Sequence, residues 1–66
     1  MKVLISEYFK DDGTVAKVFK DEENWIEYVD KNGERITFET FPGKSIHYVE
    51  DAAENYALGI KTQIGN

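Results

Sequence analysis

The sequence predicts an α+β fold, in which a four-stranded antiparallel meander of two hairpins carries one C-terminal helix packed on one face. Two stretches rich in β-branched and aromatic residues surround a glycine turn, EYFKDDGTVAKVF at 7–19 and, twenty positions later, EYVDKNGERITF at 27–38. Pro42-Gly43 then ends the strand pattern, because proline cannot donate to a sheet ladder. An apolar stripe with helical spacing follows over residues 46–60.

Length and composition limit the chain to one small domain, residues 1–66. A hydrophobic content of 41% is too high for a disordered chain. The absence of cysteine excludes disulfides, thiolate zinc sites and a thiol nucleophile, and we expect no cofactor. The lack of disulfides fits a reducing cytosol, so we expect a cytoplasmic protein. No apolar run approaches the ~20 residues of a membrane-spanning helix, so we expect no membrane contact.

The strands are expected at about 3–9, 14–20, 25–30 and 34–41. Each hairpin loop can be read as a two-residue type I′ turn or as a longer loop closed by a left-handed glycine, the G1 bulge. In the first hairpin the bulged loop pairs Glu7 with Lys17, a favourable cross-strand contact. It also pairs Tyr8 with Ala16 and Ser6 with Val18.

In the second hairpin the two readings place the apolar residues differently. The two-residue loop would set Glu27 opposite Phe38 and Ile26 opposite Glu39. The bulged loop pairs Tyr28 with Ile36 and Ile26 with Phe38, and so gathers these apolar side chains on one face. Because this separation of apolar from polar residues is cleaner, we predict the bulged register in both hairpins.

The helix is expected at about 46–60, with Ser45 as its N-cap. Gly59 either ends the helix or only weakens it. The predicted core consists of residues from the sheet and from the helix stripe. They are Leu4, Tyr8, Ala16, Val18, Ile26, Tyr28, Ile36, Phe38, Ile46, Val49, Ala53, Tyr56 and Ile60.

One helix covers only one face of the sheet, and the other face keeps apolar residues. These are Val3, Ile5, Phe9, Val15, Phe19, Trp25 and Val29, interspersed with Glu7, Lys17, Glu27, Arg35, Thr37 and Glu39. Exposed apolar patches with aromatic residues and arginine are typical of interfaces. We therefore predict a protein-interaction module that binds a protein partner or forms a homodimer. The candidate partner-binding residues are Phe19, Trp25, Val29 and Arg35. The alternative is that the sheet curls and these side chains shield one another.

The net charge of −5 argues against nucleic acid, because an acidic surface repels phosphates. The alternative function is nevertheless a nucleic-acid-binding β-β-β-α domain that uses Lys31, Arg35 and Lys44. A third hypothesis is a nucleic-acid mimic that uses the acidic side of the helix. Its residues are Glu50, Asp51 and Glu54.

Catalytic and metal-binding patterns are weak, and we expect no enzymatic activity. The single histidine, His47, falls in the first turn of the predicted helix and has no cysteine partner. Ser45, two residues before it, is explained by capping. The acidic runs at 11–12 and 21–23 do not match the spacing of a calcium loop, so no metal site is predicted.

Two resemblances add expectations. Three strands followed by Gly43-Lys44-Ser45 and a helix carrying Ala52-Ala53 resemble the C-terminal part of double-stranded RNA-binding domains, and the order is similar to AP2-type and integrase-arm DNA readers. The lysine run of those RNA-binding domains is replaced here by residues 46–48, so the resemblance implies shared packing geometry. Residues 48–59 (YVEDAAENYALG) resemble the C-terminal helix of small uncharacterised proteins of tailed cyanobacterial phages. That resemblance implies a phage-encoded protein of the host cytoplasm.

Overall fold

The computed structural model describes residues 1–59 and confirms the predicted α+β architecture. The strands are β1 (Val3–Phe9), β2 (Val15–Lys20), β3 (Asn24–Val29) and β4 (Arg35–Phe41), and the helix is α1 (Ile46–Leu58). The strands form one open antiparallel sheet in the order β1-β2-β3-β4, and α1 packs on one face of it. Each strand begins and ends within one residue of its expected position, and the expected helix end at residue 60 lies outside the described residues.

Both hairpin loops have the predicted bulged geometry. In the first, the N–H of Lys10 donates to the Thr14 carbonyl at 2.9 Å, and the N–H of Gly13 donates to the Lys10 carbonyl at 3.0 Å. The second loop repeats these bonds at 2.8 and 2.9 Å, twenty residues on. Gly13 and Gly33 have φ values of +94° and +85°, the left-handed conformation that this loop requires.

The first hairpin keeps its predicted register next to the loop, where Tyr8 lies opposite Ala16 and Glu7 opposite Lys17. Farther along β1, a bulge between Leu4 and Ser6 shifts the pairing by one residue and sets Leu4 opposite Phe19. Residues that lie opposite each other share a face. The prediction that Leu4 lies in the core is therefore wrong, and its side chain is on the face away from α1.

The second hairpin departs from its predicted register through a bulge in β4. Val29 pairs with Arg35 but Tyr28 pairs with Thr37, so Ile36 is the extra residue. The predicted pairs of Tyr28 with Ile36 and of Ile26 with Phe38 are wrong. A one-residue shift moves every later side chain to the opposite face. Ile36 and Phe38 accordingly point away from α1, with 54% and 52% of their surfaces exposed.

The position of α1 explains why this shift is favourable. The helix packs on β1, β2 and β3, and six of the seven residues of β4 are exposed. Ile36 and Phe38 would therefore gain little burial on the helix side of β4. On the other side, the Phe38 ring lies edge-on to Trp25 at a centroid distance of 6.0 Å. Thr37 and Glu39, which were predicted on the far face, take the helix side and remain exposed.

The core is small and lies between α1 and the three strands that it covers. Its fully buried residues are Ala16, Val18, Ile26, Val49 and Ala53, and the residues packed around them are Tyr8, Tyr28, Phe41, Ile46, Ala52 and Tyr56. Phe41 and Ala52 were not predicted to lie there. Ile60, which was, falls outside the described residues. Because the core is this small, we expect a free energy of unfolding of roughly 3–10 kcal/mol.

Both ends of α1 are capped by side-chain and backbone groups that the sequence indicates. The Ser45 hydroxyl accepts a hydrogen bond from the N–H of Tyr48 at 3.2 Å, which confirms the predicted N-cap. Gly59 ends the helix in the left-handed conformation. Between these ends, the Ser6 hydroxyl donates to Glu50 at 3.1 Å and ties β1 to the helix.

Tyr28 makes the stability of the fold sensitive to high pH. Its ring packs on Tyr56 at 4.7 Å, and its hydroxyl donates to Glu39 at 3.4 Å. Burial, with Glu39 as the next cause, raises the pKa of Tyr28 from 10.0 to about 12. The Tyr28 phenol ionises more easily in the unfolded chain than in the folded one. Its contribution to the free energy of unfolding is therefore complete below pH 10 and is lost as the pH rises towards 12.

We therefore expect the free energy of unfolding to fall between pH 10 and 12, and to fall less steeply in Tyr28→Phe. Urea unfolding followed by circular dichroism at several pH values measures both slopes. Equal slopes in the two proteins would show that Tyr28 is not the responsible group.

Candidate functional site

The candidate site is the face of the sheet that points away from α1, which we call the open face. Its side chains follow from the strand pairing and from the alternation along each strand. They belong to Leu4, Ile5, Glu7, Phe9, Val15, Lys17, Phe19, Trp25, Glu27, Val29, Arg35, Ile36, Phe38 and Thr40. Val3 was predicted on this face, but it lies opposite Lys20, on the side of the sheet that faces α1.

Aromatic residues form one row across the open face. Phe19 and Trp25 pair directly between β2 and β3, and their rings stack at 4.7 Å with an interplanar angle of 21°. Phe38 extends the row onto β4. The ammonium of Lys2 lies 4.8 Å from the centre of the Phe19 ring and 5.4 Å from that of Trp25. These contacts leave only 8% of Phe19 exposed, although α1 packs on the other face of the sheet.

A row of alternating charge crosses the middle of the open face. Glu7 lies opposite Lys17, and Lys17 lies opposite Glu27. The guanidinium of Arg35 completes the row, because its Nε donates to Glu27 Oε2 at 2.9 Å and its Cζ lies 5.1 Å from the Phe38 ring centre. From β1 to β4 the charges are therefore negative, positive, negative and positive.

A second apolar row lies on the hairpin-loop side of these charges. Phe9 pairs with Val15, and Val15 pairs with Val29. On β4 the residue opposite Val29 is Arg35, and the exposed bulge residue Ile36 follows it, whereas Phe38 lies opposite Glu27. Val29 at the centre of the second apolar row is only 5% exposed, whereas Phe9 at its end is 68% exposed. The open face thus has a charged row between two apolar rows, with buried residues at its centre and exposed ones at its edges.

The four predicted partner-binding residues all lie on the open face. Phe19 and Val29 are buried there, Trp25 is half-buried, and Arg35 is exposed. Self-shielding, the alternative raised by the sequence, thus holds for the centre of the face and fails at its edges. The exposed apolar side chains come from β1 and β4. They are Leu4, Ile5, Phe9, Ile36 and Phe38.

Leu4, Ile36 and Phe38 lie on this face although they were predicted in the core. In the run Val3-Leu4-Ile5 apolar residues do not alternate with polar ones, so the pattern does not determine which of them faces the helix. In β4 the alternation correctly groups Ile36 with Phe38. It does not indicate which face of the sheet the pair takes.

Acidic residues are largely absent from the open face. Two of the thirteen carboxylates in the chain, Glu7 and Glu27, belong to it, together with three cations, Lys2, Lys17 and Arg35. The other eleven lie in the three hairpin and connecting loops, on the helix side of β4 and on α1. The face is therefore nearly neutral on a chain of net charge −5.

One shallow depression lies at the edge of the aromatic row, with a volume of about 210 Å³. It is lined by Asp21, Glu22, Glu23, Trp25 and Thr40. The N-terminal ammonium contacts Asp21 at 3.1 Å, and this contact, followed by the bond from the Glu22 N–H, lowers the pKa of that carboxyl. Carboxylates beside an indole form a suitable site for a cationic group, and here the N-terminal ammonium of the same chain is that group.

The cations proposed for nucleic-acid binding are not gathered at one place. Lys31 lies in the loop before β4 and Lys44 lies after its end, so the length of the strand, roughly 20 Å, separates them. The guanidinium of Arg35 is paired with Glu27, and the Lys44 ammonium lies over the ring of Tyr48 at 4.9 Å.

His47, the remaining candidate for chemistry, is exposed in the first turn of α1, where its Nδ1 lies 3.8 Å from Glu50. Among residues 1–59, no group of three His, Asp or Glu side chains is placed to hold a metal ion. No helix in the described part of the chain has the length and apolar character needed to cross a bilayer.

Comparison with known proteins gives no match: no family model, no curated protein and no solved structure matches this chain. The resemblances to phage proteins and to RNA- and DNA-binding domains therefore stay predictions. The cytoplasmic location and the absence of enzymatic activity also stay predictions.

Proposed function

We propose that this protein is a non-enzymatic protein-interaction module whose contact surface is the open face. The observation that supports the proposal is the grouping of five exposed apolar side chains, at both edges of one uncovered sheet face. Apolar patches of this kind are uncommon on monomers and are typical of interfaces. The partner is either another protein or a second copy of the chain.

The chemistry of the face favours a protein partner. Aromatic residues and arginine are enriched at the centres of protein interfaces, and here Trp25 and Arg35 both contact Phe38. The face is also nearly neutral, so it offers neither a basic surface for phosphates nor a strongly acidic one for basic partners. An apolar protein surface with a few charged residues is the complementary ligand.

Affinity capture with three tagged baits tests the proposal. Phe9→Lys places a charge at the most exposed aromatic position of the open face, whereas Leu58→Lys does the same to a 66% exposed apolar residue of α1. We expect at least one protein, an untagged copy of this chain included, to be captured by the wild type and by Leu58→Lys but lost from Phe9→Lys. Quantitative mass spectrometry measures the three profiles. If no captured protein shows this pattern, the open face is not the contact surface.

A further inference from the structure

We propose that the occupant of the open face is a second copy of the chain, packed face to face about a two-fold axis that runs parallel to the strands, between β2 and β3. This inference rests on the proposed function, since it names the partner of the same surface. The complex would have four layers, with the two sheets inside and one helix on each outer side.

The alternating charges support this arrangement. A two-fold rotation about an axis along the strands reverses the order of the strands, so that β1 of one copy faces β4 of the other and β2 faces β3. Glu7 then faces Arg35 of the second copy, and Lys17 faces Glu27 of the second copy. Every charge in the row meets an opposite charge. A two-fold axis perpendicular to the strands would instead bring each residue of the row against its own copy, which is repulsive for all four.

The apolar rows are complementary about the same axis. Because the rotation leaves positions along the strands unchanged, the apolar residues of β2 and β3 face each other: Val15 faces Val29 of the second copy, and Phe19 faces Trp25. On β4, Phe38 lies level with the charged row, beside the Arg35 guanidinium. Phe9 at the exposed edge of β1 meets Arg35 and Ile36 of the second copy, and Leu4 meets Thr40, two residues from Phe38. The exposed edges of β1 and β4 thereby cover each other.

The size and charge of the face also fit a second copy. Four strands of six or seven residues present a footprint of roughly 20 by 20 Å, and protruding side chains make the accessible area larger. Covering two such faces buries on the order of 1,000 Å² in total, the size at which specific interfaces begin. Eleven of the thirteen carboxylates lie outside the contact, where water and salt screen the repulsion between two acidic chains.

The charged row sets the orientation of the two copies more than their affinity. Partly buried ion pairs lose hydration on association, and this loss offsets most of their attraction. The apolar rows supply the affinity. Two sheets packed in this way cross at about 30°, a rotation that the long side chains of arginine, lysine and glutamate can accommodate.

Sedimentation equilibrium over a range of concentrations tests the association. We expect the wild type to reach twice its mass of 7.6 kDa, Leu58→Lys to behave in the same way, and Phe9→Lys to dissociate at least about ten times more readily. Circular dichroism verifies that each variant is folded.

A wild type that stays monomeric throughout overturns the inference. The proposed function then still stands if the capture experiment finds a different protein with the expected pattern. If Phe9→Lys associates as well as the wild type, the dimer uses another surface.

A mixing experiment tests the axis. Reversing the whole row, with Glu7→Lys, Lys17→Glu, Glu27→Lys and Arg35→Glu, preserves the net charge of −5 and the attraction between neighbouring strands. The reversed variant is complementary to itself, but it presents like charges to the wild type. We expect both proteins to form homodimers and to yield less mixed dimer than the random half in native mass spectrometry. A random distribution of subunits would show that the row does not lie across the interface as described.

Discussion

Replacing Ile26 by alanine is expected to destabilise the protein by about 2–5 kcal/mol. Ile26 is among the largest fully buried side chains and lies at the centre of the core beneath α1. Its truncation removes apolar contacts and leaves a cavity that the surrounding residues fill only in part. Because we expect the whole fold to be held by roughly 3–10 kcal/mol, the variant loses a large part of its stability and should unfold at a much lower urea concentration than the wild type.

Ile36→Ala is the matched control, since it makes the same chemical change on β4. Ile36 is more than half exposed on the open face, so we expect a loss of less than about 1 kcal/mol. Urea unfolding followed by circular dichroism compares the two variants with the wild type. The measurement belongs at low protein concentration, where association does not add to the apparent stability. If Ile36→Ala costs as much as Ile26→Ala, Ile36 lies under the helix and the bulge in β4 is absent.

The same two isoleucines show how far the sequence predicts the fold. Alternation within a strand depends only on backbone geometry, so it correctly grouped Ile26 with Tyr28 and Ile36 with Phe38. The two glycine loops also depend on local conformation, and both were predicted correctly. The face of the sheet that each side chain of β4 takes could not be predicted, because one inserted residue moves all later side chains to the opposite face.

That inserted residue is selected by tertiary packing. The bulge places Phe38 against Trp25 and leaves Glu39 near the Tyr28 hydroxyl, and both contacts depend on α1 not covering β4. Without the position of the helix, burial of Ile36 and Phe38 beneath it is the better guess. The sequence therefore predicted that an uncovered apolar face exists and that it includes Trp25 and Arg35. Its exposed residues on β4 were not.

The sequence predicted all four charges of the row on one face, but it paired only the first two. The favourable pair of Glu7 with Lys17 follows from the first loop, which sets the register of β1 on β2. Glu27 joins the row through the pairing of β2 with β3. Arg35 joins it through the second loop, which sets Arg35 opposite Val29 on the same face, from where its guanidinium reaches Glu27. Self-complementarity is a property of all four charges, so it emerges only from the assembled sheet.

Gly13→Ala is expected to destabilise the protein by about 2–4 kcal/mol, more than Gly33→Ala, at about 1–2 kcal/mol. Both glycines have positive φ, and any side chain at either position is strained. A Cβ at Gly13 would in addition lie 2.9 Å from the Cβ of Lys31 in the second loop, whereas a Cβ at Gly33 would have no neighbour within 4 Å. The two loops are equivalent in backbone geometry, so the difference between the variants measures the contact between them.

A double-mutant cycle isolates that contact. Lys31→Gly removes the Cβ that a new side chain at position 13 would meet, while the strain from the positive φ of Gly13 remains. We expect Gly13→Ala to be less destabilising in the Lys31→Gly background than in the wild type, by an interaction free energy of about 1 kcal/mol or more. Urea unfolding of the four proteins provides the cycle. Additive effects would mean that the two hairpin loops do not touch, and that the first hairpin is held against the second only through its strands.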